Sequence, residues 1–180
     1  MGTPKATLPI AGGASILDRV HHALSSLSLS VTLVGEGPIT TQTANLERIA
    51  DRQETPGPLG GILASLMHDP GAAWLVLACD LARIDEAAVR WLMDQRDPDR
   101  MAIIPRLTPT RVEPLFAIYE AHAADELWSL ARSGTPAPKR LASHPEVATP
   151  EPPSQLRHCW TNVNTPEDLE TLEALETLHI

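Results

Sequence analysis

Lysine and cysteine are scarce in this sequence of 180 residues. Lys5 and Lys139 stand against twelve arginines, so any chemistry that needs a lysine has few candidates. Cys79 and Cys159 are the only cysteines, and their spacing matches neither a zinc site nor a redox dithiol. We therefore expect two reduced thiols with structural roles.

Positive charge and long apolar runs are also lacking. The formal net charge is -9 and no basic patch stands out, which argues against nucleic acid and acidic membrane surfaces as partners. The longest apolar runs are far too short to span a bilayer, and no signal peptide opens the chain. We expect a soluble, cytoplasmic protein.

The most informative stretch that is present is the apolar run of residues 74–79, which stops at Asp80. Its valine and leucine content and its lack of alternation predict a central strand that is buried on both faces. Asp80 would then lie at the carboxyl edge of the sheet, where open α/β folds bind ligands and metal ions. The alternative is that Asp80 only ends the strand or caps the next turn.

Helix and strand patterns alternate along residues 1–180, and 43% of the residues are hydrophobic, which predicts a single α/β domain. The patterns indicate helices at 15–27, 62–67, 86–96, 121–132 and from 165 onward, and strands at 29–34, 46–51, 74–79, 101–105 and 112–119. Residues 133–155 are proline-rich and predict a surface excursion. We expect a three-layer fold around a mostly parallel, mixed sheet, in which 112–119 runs antiparallel.

Five motifs in this order resemble the molybdenum cofactor guanylyltransferases. They are Met1-Gly2-Thr3-Pro4-Lys5-Ala6-Thr7-Leu8-Pro9-Ile10, Gly57-Pro58-Leu59-Gly60-Gly61, Ala78-Cys79-Asp80, Glu113-Pro114-Leu115-Phe116-Ala117-Ile118-Tyr119 and Asn162-Val163-Asn164-Thr165-Pro166-Glu167-Asp168-Leu169. The resemblance covers nearly the whole chain and extends, less closely, to molybdopterin cytidylyltransferases and sugar-phosphate nucleotidyltransferases. It implies a Rossmann-like nucleotidyltransferase fold.

The resemblance further implies that GMP passes from GTP to molybdopterin with release of pyrophosphate, and that Mg²⁺ is the cofactor. GTP, the molybdenum cofactor and molybdoenzyme-maturation proteins are the implied partners. Such a transfer needs a metal carboxylate and a cation near the phosphates. By the resemblance, Asp80 holds the metal and the nucleotide, Lys5 contacts the GTP phosphates, and Asp51 is a second nucleotide contact.

The residues by themselves leave other interpretations open. Lys5 could be a solvated lysine in a terminal segment, and Asp51 could simply begin a turn after a strand. Gly60 and Gly61 could let the backbone approach the nucleotide, or could relieve crowding where the loop meets the helix.

Further candidates for the substrate are amides and arginines. Asn162 and Asn164 lie at strand spacing around Val163, so both amides would point to one side. The resemblance places this motif near the active site, but the amides could instead satisfy loop backbone groups. Arg111 and Arg106 flank a hairpin turn and could meet a pterin phosphate, or could be solvated surface arginines.

The chain departs from the family pattern at its beginning. The family has a strand and a glycine-rich loop, Leu-Ala-Gly-Gly-x-Ser-x-Arg, before the Met-Gly that corresponds to Met1-Gly2. We expect the given sequence to lack both, either because Met1 is a misassigned start or because this is a truncated relative that does not transfer nucleotides. The hypotheses are thus a guanylyltransferase, a cytidylyltransferase or other nucleotidyltransferase of the same fold, and a catalytically silent binding protein.

Overall fold

The computed structural model describes residues 5–7, 9–10, 13–52, 54–55, 57–134 and 136–162. Its helices are α1 (Ile16–Ser25), α2 (Pro58–His68), α3 (Glu86–Asp94) and α4 (Ala124–Arg132). Its strands are β1 (Thr32–Val34), β2 (Glu47–Ile49), β3 (Trp74–Leu77), β4 (Ala102–Ile103), β5 (Arg106–Thr108), β6 (Arg111–Val112), β7 (Phe116–Tyr119) and β8 (Val147–Ala148). Short 3-10 helices cover Lys5–Thr7, Ala121–Ala123, Pro138–Ser143 and Arg157–Trp160.

The main sheet has four strands in the order β3-β7-β4-β8. β7 runs antiparallel to both β3 and β4, and β8 runs parallel to β4. Three strands therefore share one direction and β7 alone opposes them. The expected mixed sheet and the antiparallel strand inside it are both confirmed.

Helices cover the two faces of this sheet, which gives the expected three layers. On one face, α1 and α3 pack with Phe116 and Ile118 of β7. On the other face, α2 and α4 pack with Ala117 and Tyr119. β7 is buried along its whole length because successive side chains enter opposite cores.

A cleft of about 680 Å³ separates the main sheet from the parallel pair β1–β2. Residues 29–34 and 72–80 line this between-sheet cleft without a gap in either run. Because side chains alternate along a strand, an uninterrupted run indicates that the cleft meets strand edges rather than one face. α1 and α2 supply its remaining walls.

The position of β3 corrects one expectation. We expected residues 74–79 to form a fully buried central strand, but β3 is the end strand of the main sheet and each of its residues is only partly buried. The physical reason is the between-sheet cleft: no strand of the described residues pairs with β3 on that side.

The helix after the breaker-dense loop begins earlier than expected. α2 begins at Pro58, whose ring fixes a helical φ at the first position, and Gly57 before it has a φ of 83°. Gly60 and Gly61 consequently lie in the first turn of the helix and not in a loop. None of the helices in the described segments is long and apolar enough to cross a bilayer.

Of the remaining secondary-structure predictions, the helix caps and the hairpin are confirmed, one strand was missed, and the last helix cannot be compared. Ser15 caps α1 and Asp85 caps α3, as the pattern indicated. β5 and β6 form the hairpin around the predicted turn. The proline-rich excursion contains β8, a strand that we did not predict. The helix predicted from Thr165 lies outside the described residues.

We predict that Gly60→Ala destabilises the fold. A Cβ at Gly60 would lie 2.1 Å from the backbone oxygen of Thr55, so the loop before α2 must move. Overpacking of this kind costs about 1–3 kcal/mol of unfolding free energy, which exceeds the helix propensity that alanine contributes. Urea unfolding followed by circular dichroism measures the change.

The matched control is Gly37→Ala, where a Cβ would meet no atom within 4 Å. We expect its midpoint to stay within experimental error of the unmodified chain. If Gly60→Ala unfolds at the same urea concentration as Gly37→Ala, the close approach of Thr55 to Gly60 is wrong.

Candidate active site

Asp51 lies where β1, β2 and the start of α2 come together. A Cβ at Gly35 would lie 2.5 Å from its Oδ2 atom, and one at Gly61 would lie 3.3 Å from its Oδ1 atom. Gly35 also has a φ of 88° and donates its N–H to the Ile49 carbonyl at 2.9 Å. Two glycines therefore make room for this carboxylate, which lines the between-sheet cleft.

Gly60, which we predicted to contact the nucleotide, is buried against its own loop. The space that a side chain would need is filled by the carbonyl oxygens of Thr55, at 2.1 Å, and Arg52, at 3.1 Å. Packing is enough to require glycine here. The nucleotide contact stays a prediction.

Asp80 and Glu113 are brought together by the pairing of β3 with β7. Leu77 lies opposite Phe116, and the Ala78 N–H donates to the Leu115 carbonyl at 2.7 Å. The residue that follows β3 thus lies beside the residues that precede β7. Asp80 is partly buried and lines the between-sheet cleft, as does Leu115.

Glu113 is a carboxylate held in a largely buried position, with 11% of its side chain exposed. Burial raises the pKa of Glu113 above its usual value of 4.5, and the Asp80 charge raises it further. The Leu115 N–H, which donates to Oε1 at 3.1 Å, and the Arg111 guanidinium, 3.8 Å from Oε2, oppose that rise. The net effect is a Glu113 that is harder to ionise.

Tyr119 anchors the loop that carries Glu113. The Tyr119 hydroxyl donates to the Pro114 carbonyl at 2.8 Å, and its ring is fully buried. Burial raises the pKa of Tyr119, with a smaller contribution from the Glu113 charge, so the hydroxyl stays protonated and keeps donating. Tyr119 therefore holds the backbone next to Glu113 in place.

Asn162 follows Trp160, which is anchored at the start of β7. The Trp160 indole donates to the Phe116 carbonyl at 3.3 Å, and the two rings stack with centroids 4.4 Å apart. Two residues further on, the Asn162 side-chain oxygen is buried and has no hydrogen-bond partner among the described residues. A buried amide oxygen without a partner is a candidate ligand contact.

The remaining predicted site residues are Lys5, Asn164, Arg111 and Arg106. The backbone of Lys5 lies in the 3-10 helix Lys5–Thr7, but its side chain is not among the described ones. Asn164 lies outside the described residues. The Arg111 side chain is 56% exposed and faces Glu113. Arg106 donates to the Pro109 carbonyl of the hairpin turn at 3.3 Å and to Thr149 Oγ1 at 2.9 Å. Arg106 therefore supports the hairpin.

Glu113 and Gly35 are the site residues that our sequence reasoning did not single out. Glu113 lay inside a motif that we quoted, and an acid followed by proline just before an apolar strand was the available signal. Gly35 stood in a Gly-Glu-Gly-Pro turn, where nothing in the pattern indicates a carboxylate sixteen residues later.

The carboxylates at the end of β3 fit a divalent cation. The β3–β7 register, continued by the Ala78–Leu115 hydrogen bond, brings the residues after β3 beside those before β7, and Asp80 and Glu113 both offer the hard oxygen ligands that such ions prefer. A cation between them would offset a repulsion that burial makes costly. Asp80 and Glu113 are therefore the residues that would hold it.

A three-layer α/β fold with a carboxylate at the end of a strand beside an open cleft is the arrangement in which proteins of the Rossmann-like class bind ligands. Comparison with known proteins narrows the class to one family. The sequence model of the MobA-like NTP transferase domain matches residues 1–147, and the chain belongs to this family. It is accordingly a nucleotidyltransferase.

Named relatives agree with this assignment. A molybdenum cofactor guanylyltransferase of Sinorhizobium fredii is 30% identical and is matched over 96% of this chain and 84% of its own length. A molybdenum cofactor biosynthesis bifunctional protein of Synechocystis is 30% identical over 71% of this chain, which spans only 37% of that longer protein. The solved molybdopterin-guanine dinucleotide biosynthesis protein A of Archaeoglobus fulgidus, at 23% identity, has a TM-score of 0.77 over 98% of this chain and 92% of its own.

We predict that Glu113→Gln changes the pH dependence of stability. Because the pKa of Glu113 is raised in the folded protein, its contribution to stability is present below the unfolded pKa of about 4.5 and is lost as pH rises through the folded pKa. The unmodified chain should therefore lose stability over this window, and the variant should lose less. Urea unfolding between pH 4 and pH 7 measures both.

Glu36→Gln is the control, since Glu36 is exposed and the substitution removes the same charge. Its stability should follow the unmodified chain at every pH. If all three proteins showed the same pH dependence, Glu113 would ionise as a solvated carboxylate, which would contradict its buried position.

Proposed function

We propose that this protein transfers GMP from GTP to molybdopterin, releasing pyrophosphate, in the cytoplasm. The observation that carries the proposal is the position of Asp80, which lines the between-sheet cleft after β3 and faces the loop of Glu113 before β7, in a chain of the MobA-like family. The relatives that are named as guanylyltransferases support the choice of GTP and of the molybdenum cofactor as substrates.

The reaction is an in-line displacement at the α-phosphate, in which the protein mainly positions two anions and offsets their charge. Asp80 and Glu113 would hold Mg²⁺, which when bound neutralises charge on the phosphates. Asp51, on the β1–β2 side of the same cleft, is suited to accept hydrogen bonds from the nucleotide.

The remaining candidates divide between the two substrates. Lys5 would supply positive charge to the GTP phosphates, and Gly60 would contact the nucleotide through its backbone, because its side-chain position is filled by the loop before α2. Asn162, Asn164 and Arg111 would contact the pterin substrate. The buried oxygen of Asn162 and the exposed guanidinium of Arg111 support their part of this division. Lys5 and Asn164 rest on the family resemblance.

We expect Asp80→Asn to remove most Mg²⁺-dependent transfer while leaving the fold intact. An amide is a poor Mg²⁺ ligand but has nearly the shape of the carboxylate. Turnover should fall about a hundredfold or more, in the range seen when one group that stabilises transition-state charge is lost. The assay follows pyrophosphate release with GTP and with CTP, and thermal unfolding reports on the fold.

Asp94→Asn, an exposed carboxylate at the end of α3, is the charge-matched control and should retain full turnover. Unchanged turnover in Asp80→Asn would rule out its metal role. Pyrophosphate release with CTP but not with GTP would show that the reaction is cytidylyl transfer rather than guanylyl transfer. Binding of GTP without any transfer would favour a catalytically silent binding protein.

We also propose that a further extended strand, apolar on both faces, fits between β1 and β3. Both strands present edges to the between-sheet cleft, and exposed edges pair readily with added strands. The opening strand and glycine-rich loop of the resembled family have the right character. Their backbone N–H groups would bind phosphates at this end of the sheet.

The test is to extend the chain at its amino end by such a strand and loop. Amide hydrogen exchange in β1 and β3 should slow, and the melting temperature should rise by about 5 °C or more. A matched extension with proline in the middle of the strand cannot complete the ladder and should have neither effect. Equal exchange in the two forms would show that the cleft does not accept a strand.

A further inference from the structure

A second cluster of ligand-type side chains lies outside the site described above. Asp85, His158 and Cys159 each offer one atom, a carboxylate oxygen, a ring nitrogen and a thiol sulfur, and these three atoms lie within 4.8 Å of one another. Oxygen, nitrogen and sulfur ligands in this combination are those that zinc takes in proteins. Around a tetrahedral zinc ion such atoms lie about 3.5 Å apart, so modest side-chain rotation would close the set.

The backbone holds these side chains in position. His158 and Cys159 are successive residues of the 3-10 helix Arg157–Trp160, in which the Cys159 N–H donates to the Leu156 carbonyl at 2.9 Å. Trp160 ties the helix to β7, as described above. Preorganised ligands lose little freedom on binding, which favours affinity.

Asp85 can offer a carboxylate oxygen to a metal. Its Oδ1 atom accepts the Ala88 N–H at 2.8 Å and thereby caps α3, and the carboxylate also forms a hydrogen bond with the Cys159 thiol, whose proton a metal would replace. The same cap fixes the carboxylate relative to the helix. A metal would then join the amino end of α3 to the 3-10 helix.

The cluster opens on one side to a cavity of about 690 Å³, which Asp85 and His158 line and Cys159 does not. Cys159 is fully buried behind them, so its sulfur would form the inner wall of the site. A fourth ligand, water or a substrate group, could enter from the cavity. This is the arrangement of an open zinc site rather than a closed structural one.

Charge around the cavity does not oppose a metal. Arg19 and Arg83 line it, but so does Glu86, and the Arg19 guanidinium donates to the Ala82 carbonyl at 2.7 Å. Zinc bound by the Asp85 carboxylate and the Cys159 thiolate carries no net charge, so the arginines would not repel the filled site. They would favour an anion in the fourth position.

We propose that Asp85, His158 and Cys159 bind a zinc-type divalent ion with one position open to the cavity, at a site separate from Asp80 and Glu113. On binding, the Cys159 thiol gives its proton to solvent and the sulfur forms the metal bond. The site does not depend on the proposed transfer reaction.

Cobalt(II) is the probe, because a thiolate bound to it gives a charge-transfer band in the near ultraviolet and tetrahedral coordination gives a visible spectrum. Titration of the unmodified chain should produce both at one equivalent, and Zn²⁺ should displace them. Cys79→Ser is the matched control: Cys79 is exposed and distant in sequence, so this variant should bind as the unmodified chain does.

Cys159→Ser should abolish the charge-transfer band. His158→Gln and Asp85→Asn should weaken cobalt binding about tenfold or more. These two leave the buried cysteine in place, and asparagine still caps a helix, so loss of binding would not reflect unfolding. No charge-transfer band, a band that survives Cys159→Ser, or a band lost in Cys79→Ser would each overturn the proposal.

Discussion

The antiparallel pairing of β3 with β7 determines where the chemistry can take place. Antiparallel neighbours place the end of one strand beside the beginning of the other, so Asp80 and Glu113 meet although 33 residues separate them. A parallel neighbour in this position would have left one of the two carboxylates at the opposite edge. The single reversed strand of the main sheet is therefore what creates the paired acids.

β7 can hold the site residues in place because it is packed firmly into the fold. β7 is buried on both faces, between the α1–α3 core and the α2–α4 core. Tyr119 binds the loop before the strand, and Trp160 stacks on Phe116 at its start. The side chains that stabilise the sheet thus also fix the site, and changes to the core are expected to alter both.

Much of the fold could be predicted from hydrophobic period and capping residues. α1 and α3 begin where Ser15 and Asp85 indicate, since a cap is a local interaction between residues three apart. The start of α2 and the existence of β8 were missed. A glycine-rich first turn and a two-residue strand carry almost no periodic signal, and only tertiary packing forms them.

The central position of β3 was the larger error, and its cause is not local. A run of apolar residues reports that both faces of a strand are covered, but it says nothing about which strand lies at each edge. Helices α1 and α2 cover β3 in part, so its sequence is that of a central strand while its outer edge faces the between-sheet cleft.

A site residue could be predicted from the sequence when the residues next to it already indicate its role. Asp80 ends an apolar strand, which is a strong local signal. Glu113 becomes notable only when β7 brings it to Asp80, and Cys159 acquires ligand-type neighbours only when Asp85 of α3 reaches it. Spacing rules search for ligands along the chain, whereas here the set is assembled across it.

The burial of Glu113 is a physical indication of function, because ionising a carboxyl group there costs free energy. Burial raises the pKa of Glu113 and the Asp80 charge adds to that rise, whereas a glutamine could occupy the position without this cost. The Leu115 N–H and Arg111 offset only part of it. A divalent cation held by Asp80 and Glu113 would offset this cost, because it favours the ionised form of both carboxylates.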